Sequence, residues 1–272
     1  MVRNFSRAAT VVIAAALLIG ATGCEKLRAR DSLNKGVGQF KNAKYPEAVE
    51  YFTRAVELDP TFPEARLYLA TAYFSQYIPG AESPENMEFA RKANDEYLKV
   101  LEQKPNDTLA LASIASLYYH QKKFDEAETW FKKVIEADPK NKEAYYTLGV
   151  IAWGRTYPKH MQARAELGMK PEEAAPIKDK KVRDALIATD GPILDEGIKD
   201  LTAALQIDPN YDDAMAYLNL LLRRKADLAD DVAGFKKYSD EADTWIAKNL
   251  ETKKMKQALI DKKASQGQIV QQ

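Results

Sequence analysis

The stretch AETWFKKVIEADP, Ala127 to Pro139, decides the fold. It sets a small residue, Ala127, twelve positions before a proline, a large apolar one, Phe131, eight before it, and Val134 five before it. Three more stretches keep the same slots: AVEYFTRAVELDP from Ala48 to Pro60, ANDEYLKVLEQKP from Ala93 to Pro105, and GIKDLTAALQIDP from Gly197 to Pro209. The small slot holds Ala48, Ala93 and Gly197; the large slot holds Phe52, Tyr97 and Leu201; the third holds Ala55, Val100 and Ala204. An alanine follows each proline by five residues: Ala65, Ala110, Ala144 and Ala214. Apolar residues recur with a 3.6-residue period, as in Ala48-Val49-Phe52-Ala55-Val56, and no stretch alternates as strands do. The pattern predicts amphipathic helices, each stopped by a proline that cannot continue the helix.

These slots resemble the tetratricopeptide repeat, a helix–turn–helix unit of about 34 residues. The resemblance implies that the small residue lets the second helix of a pair approach the first, that the large residue fills the pair's core, and that proline ends the unit. Upstream, Leu69-Ala70, Ile114-Ala115 and Leu148-Gly149 supply the apolar-then-small pair of the first helix, while Lys35-Gly36 and Asn219 depart from it. Successive prolines, Pro60, Pro105, Pro139 and Pro209, lie 45, 34 and 70 residues apart. The middle interval is one standard unit; the excesses of the other two fall between the paired helices. The first excess surrounds Ile78–Pro84 and leads into Ser83-Pro84-Glu85, a capping serine with proline at the first helical position. The second is an insertion at about 155–192, with two short helices expected at Lys159–Leu167 and Lys178–Thr189. A fifth, looser unit runs from about Asp212, its second helix spanning roughly Val232 to Leu250. The expected architecture is an all-α, tetratricopeptide-like helical-repeat solenoid of about five helix pairs over residues 29–250, followed by a polar, basic tail at 251–272 that frays into solvent.

Residues 1–24, MVRNFSRAATVVIAAALLIGATGC, read as an address. Arg3 and Arg7 precede an apolar run from Ala8 to Ile19 that is shorter than a spanning helix needs, and small residues lead to Cys24. Ala21-Thr22-Gly23-Cys24 resembles the lipobox of bacterial lipoproteins, with alanine where leucine is commoner. That resemblance implies a signal peptide at 1–23, acyl chains on Cys24, a short tether at 24–28, and a periplasm-facing protein on a membrane of the cell envelope, with Glu25 favouring the outer one. More than one acyl chain gives stable anchoring, each buried CH2 contributing about 0.8 kcal/mol. Loss of the leader would leave 38 basic against 40 acidic residues.

The composition limits the chemistry. With 40 basic and 40 acidic residues the chain is neutral, which argues against a nucleic-acid binder. With 46% apolar residues it can bury a core. One cysteine makes no internal disulfide, and two histidines are a poor inventory for metal. Gly36-x-Gly38 lies in a helical pattern without a preceding strand, so it is no dinucleotide loop. His120 and His160 read as surface decoration. No catalytic residue, cofactor, metal or small-molecule substrate is expected.

Binding is the better prospect. The repeat template places the first helices on a concave face, and the partner-binding candidates on it are Leu33, Val37, Phe40, Leu67, Phe74, Tyr119, Tyr146, Trp153 and Arg223. Its aromatic residues suit an extended, apolar protein segment; packing between neighbouring helices is the competing role. The family's clamp of Lys, Arg and Asn for a terminal carboxylate does not carry over, because its slots in the first unit hold Leu33 and Val37. The expected function is a non-enzymatic adaptor for a protein or peptide, most simply another envelope protein. Two alternatives stand beside it: an assembly lipoprotein for outer-membrane proteins or pili, and a small-ligand subunit closed by the 155–192 insertion around His160.

Overall fold

The computed structural model describes residues 24–170 and 173–269. The leader at 1–23 lies outside the described residues. Ten helices account for nearly all of them, with no strand among the described residues: α1 (24–41), α2 (Tyr45–Leu58), α3 (Pro63–Phe74), α4 (Pro84–Gln103), α5 (Thr108–His120), α6 (Phe124–Ala137), α7 (Lys142–Glu166), α8 (Lys180–Ile207), α9 (Asp212–Asp227) and α10 (Val232–Ile269). The all-α helical-repeat architecture read from the repeat slots is the observed one. Among the described residues no helix is long and apolar enough to cross a membrane.

Local chemistry explains where the helices start and stop. Asp107, Asn141 and Asp179 cap α5, α7 and α8 by accepting from the backbone N–H groups of Ala110, Ala144 and Val182. Ser83 caps α4 through the N–H of Asn86, with Pro84 in the first turn. The aspartate before the repeat proline has its own task. Asp59, Asp138 and Asp208 accept from the N–H groups of Thr61, Lys140 and Asn210, two residues on, and so fold the chain back into the next helix. In the second unit Lys104 takes that place and pairs across to Glu64 at 2.8 Å.

The chain divides into two compact units, one through Lys123 and one from Phe124 on. In the first, α1 to α3 close on Ala48, Phe52, Leu69 and Ala72. Gly36 is required there, since a Cβ would lie 2.5 Å from the Phe52 ring. The stretch between α3 and α4 is organised by buried Asn86, which donates to the carbonyls of Ile78 and Ala81 and accepts from the N–H of Ile78. In the second unit, α7 to α10 surround Leu194, Leu201, Leu218, Leu221 and Leu222.

Three expectations change. The insertion does not form two separate short helices: α7 runs on through Pro158 to Glu166, and α8 begins at Lys180 and passes through Pro192. A helix-interior proline costs about 3 kcal/mol, but the extensions bury Thr156, His160 and Ala163 on one side and Leu186 and Asp190 on the other. The tail does not fray at Leu250. α10 continues to Ile269, tied to the start of α9 by Asn249, which donates to the Asp212 carbonyl, by buried Thr252, and by a Lys256–Asp212 ion pair. Residues 24–28, expected as a tether, are the first turns of α1, and Cys24 is exposed.

Candidate functional site

In the first unit the candidates fall into two groups. Leu33, Val37 and Phe40 are half-buried against the Ala48–Phe52–Leu69–Ala72 cluster, and Phe40 meets Tyr45 edge-on at 5.3 Å. They are the surface on which α1 packs. Leu67 and Phe74 lie half-buried on α3. Phe74 and Tyr119 are joined through His120, whose ring is 6.2 Å from the one and 5.5 Å from the other. Burial lowers the pKa of His120.

The second unit builds a longer arrangement. Tyr146, Trp153 and Tyr157 lie seven and four residues apart, hence on one face of α7. Tyr217 of α9 stands edge-on to both Tyr146 and Trp153, at 5.7 Å from each. Trp153 stacks on Tyr157 at 4.7 Å, and Tyr211 lies 5.1 Å from Tyr146. Tyr146, Trp153, Tyr211 and Tyr217 pack with one side against the leucine core and are half-buried; Tyr157 is 38% exposed. Cations stand at the two ends, Lys142 over Tyr211 at 5.0 Å and Arg224 over Tyr157 at 5.9 Å. The Tyr211 hydroxyl is pushed up to about 12 by burial and by Glu143 and Asp213, so at neutral pH it remains a donor. The result is a row of rings held by the core, with a wet edge, Arg224 at one end and the Lys142–Asp208 ion pair at the other. Such a face suits an apolar or aromatic protein segment with an acidic group toward the Arg224 end.

The structure therefore brings Tyr146 and Trp153 together and separates Arg223 from them. Arg223 donates to Asn219 at 3.0 Å and to Asp243 of α10 at 2.7 Å, away from the rings. Sequence reasoning missed Tyr157, Tyr211 and Tyr217. Tyr157 was within reach as the i+4 neighbour of Trp153. Tyr217 lies six residues before Arg223, the residue the template selected on α9.

His160 is not surface decoration. It has no exposed surface, its Nε2 is 3.6 Å from Asp190 Oδ2, and neither ring nitrogen has a hydrogen-bond partner among the described residues. Burial first, then Arg224, Arg164 and Lys159, lower its pKa to about 4 against the opposing pull of Asp190. It is a neutral core histidine.

Comparisons with known proteins agree with this architecture. Residues 33–77 and 90–150 match two tetratricopeptide repeat models. The chain is 34% identical over 117 residues to sperm-associated antigen 1 of Rattus norvegicus, covering 43% of this chain and 12% of that protein. It is 25% identical over 167 residues to Hsp70-Hsp90 organizing protein 3 of Arabidopsis thaliana, covering 58% and 28%. The chain thus spans under a third of the length of either. With the type IV pilus assembly protein PilF of Pseudomonas aeruginosa it shares 23% identity over 199 residues, covering 66% and 72%. Among solved structures, the MamA 41-end structure from Desulfovibrio magneticus RS-1 superposes with a TM-score of 0.57 at 18% identity, over 84% of this chain and 96% of that one. That likeness is one of fold, a helical-repeat solenoid.

Proposed function

We propose that this tetratricopeptide-repeat protein is a non-enzymatic scaffold that holds a protein or peptide partner on the aromatic face of α7 and α9. The row from Tyr211 to Tyr157 carries the proposal: four large rings are fixed from behind by the core, Tyr157 stacks on Trp153 at the end of the row, and the row keeps an open edge, the arrangement from which interfaces draw their anchors. Attachment to a bacterial envelope membrane through acylated Cys24, facing the periplasm, is part of the same reading. Its support is the Ala21–Cys24 lipobox pattern and the exposed position of Cys24 at the start of α1. The partner is then another envelope protein.

A second reading, an assembly role, draws support from PilF, by name a pilus assembly protein, of which the chain spans 72% against 12% and 28% for the other two relatives. The small-ligand reading gains nothing from His160, which is sealed in the core.

The test is a comparison of binding with stability. Trp153→Ala and Tyr217→Ala weaken partner capture at least tenfold, consistent with hot-spot losses of about 2 kcal/mol or more, while melting temperature falls by only a few degrees. Capture that declines only in step with stability would assign the rings to packing alone.

A further inference from the structure

At the C-terminal end of α9 a cavity of about 250 Å³ is walled by Arg164, Arg223, Arg224, Asp227, Phe235 and Ser239, with exposed Glu173 of the loop before α8 at its edge. Three guanidinium groups meet there around one buried carboxylate. Arg164, 2% exposed, is fully engaged at its tips: it donates to Asp227 Oδ1 at 3.0 Å and to the carbonyls of Ala175, Lys170 and Glu173, while its buried Nε has no partner. Arg224 spends one nitrogen, Nη1, on Asp227 Oδ2 at 2.9 Å and on the Met161 sulfur, leaving Nε and Nη2 without a partner among the described residues. Arg223 gives Nε to Asn219 and Nη2 to solvent-exposed Asp243, leaving Nη1.

The three guanidinium groups, set against Asp227, Glu173 and Asp243, are felt by the neighbours. Burial raises the pKa of Asp227, while Arg224, Arg164 and Arg223 pull it down, and Arg224 and Arg164 help to keep the proton off His160. A guanidinium largely withdrawn from water with unspent donors is unfavourable. An oxyanion relieves it, because two or more oxygens match the forked donors of arginine.

We infer that this cavity is a binding site for a phosphate or carboxylate group, held by Arg223 and Arg224 against the fixed wall of Arg164. At roughly 30 Å³ per liquid water, the space takes a tetrahedral oxyanion with a few linking atoms. Because Arg224 also lies over Tyr157, an acidic group borne by a bound protein segment reaches the cavity from the end of the aromatic row. The site stands without the partner reading, since its donors and volume involve none of the other rings.

The test uses the full chain, with inorganic phosphate and acetate as separate probes, read by the Nε–Hε resonances of the arginines and by thermal melting. Saturable shifts confined to Arg223, Arg224 and Arg164, with a rise in melting temperature, are expected. Response to both probes assigns a general oxyanion site; response to phosphate or to acetate alone assigns that group. Arg224→Gln lowers affinity at least tenfold, and Arg224→Lys, which keeps the charge but loses the fork, also weakens it. Arg223→Gln, whose partners are Asn219 and an exposed carboxylate, preserves the fold if Arg224→Gln does not and lowers affinity several-fold. Arg91→Gln, on the exposed face of α4, has no effect. Trp153→Ala leaves phosphate binding intact, so failure of the partner reading and failure of this one are distinguishable. Absence of saturable binding by either probe, unchanged affinity in Arg223→Gln, or equal loss in Arg91→Gln would overturn the assignment.

Discussion

Gly149 and Gly197 bring α7 and α8 into contact. A Cβ on Gly149 would lie 2.3 Å from Leu201 Cγ, and one on Gly197 would lie 2.4 Å from the Ala152 Cβ. The Gly197→Ala variant therefore loses about 1–3 kcal/mol to overpacking, despite the ~1 kcal/mol that alanine gains in helix propensity. Gly38 is the control, since nothing lies within 4 Å of its built Cβ; Gly38→Ala gains about 0.5–1 kcal/mol. Urea midpoints check both, and equal responses would contradict the packing account. Titration at this scale carries a second expectation. His160, at about 4 when folded against 6.5 for a free imidazole, is charged only in the unfolded chain between those values. The unfolded state binds the extra proton, so stability falls as pH drops from 6.5 toward 4, by roughly 3 kcal/mol at most. Asp200, buried beside Glu196 and raised from 3.8 to about 7, does the reverse: the folded state keeps its proton, so stability falls as pH rises from 3.8 to 7. The two oppose one another. Asp200→Asn unmasks acid sensitivity between pH 4.5 and 6.5, and His160→Gln unmasks the opposite slope. Urea midpoints across this range that keep the parent's pH dependence in both variants would contradict the assignment.

At the scale of elements, the repeat slots were legible because they answer to short-range physics. Ala127, Phe131 and Pro139 state in one stretch how closely a helix may approach, what fills the pair and where it stops. The insertion was less legible. Pro158 and Pro192 are read locally as boundaries, yet both helices continue through them because buried groups on the two extensions cover one another. The anchor is long-range: Arg164 on α7 binds three carbonyls of the loop at 170–175 and Asp227 on α9, and the Asp227 carbonyl receives the Ile177 N–H at 2.9 Å. No spacing in the sequence announces such a set. Arg164→Met should destabilise the protein by about 3–5 kcal/mol, because it removes one of the two arginines that pair buried Asp227, leaving only Arg224, and takes the donor from three loop carbonyls. It should also open the loop to trypsin at Lys178. A protease-resistant loop in that variant would contradict the anchoring role. α10 outran its expected end for a similar reason, since Thr252 and Lys256 engage the first turn of α9 from 37 and 44 residues away.

At the scale of the whole molecule, the nine partner-binding candidates do not behave as one set. Leu33, Val37 and Phe40 serve the packing of α1, Phe74 and Tyr119 gather around His120, and Arg223 faces α10. Tyr146 and Trp153 join rings from a second helix, which the repeat template could not foresee because Tyr211 and Tyr217 reach them through tertiary packing. The proposed membrane attachment belongs to this scale too. Cys24→Ser should move the protein from the membrane to the soluble fraction, and a variant that still sediments with membranes would contradict acylation. The central claim, that the α7–α9 aromatic face is the partner-binding surface, is tested most directly by photo-crosslinking in living cells. A photoreactive phenylalanine replaces Tyr157 on the face, or Lys262 on the exposed C-terminal stretch of α10. A discrete adduct is predicted from position 157, lost on adding Trp153→Ala, and none from 262. No adduct from 157, or the same adduct from both positions, would contradict it.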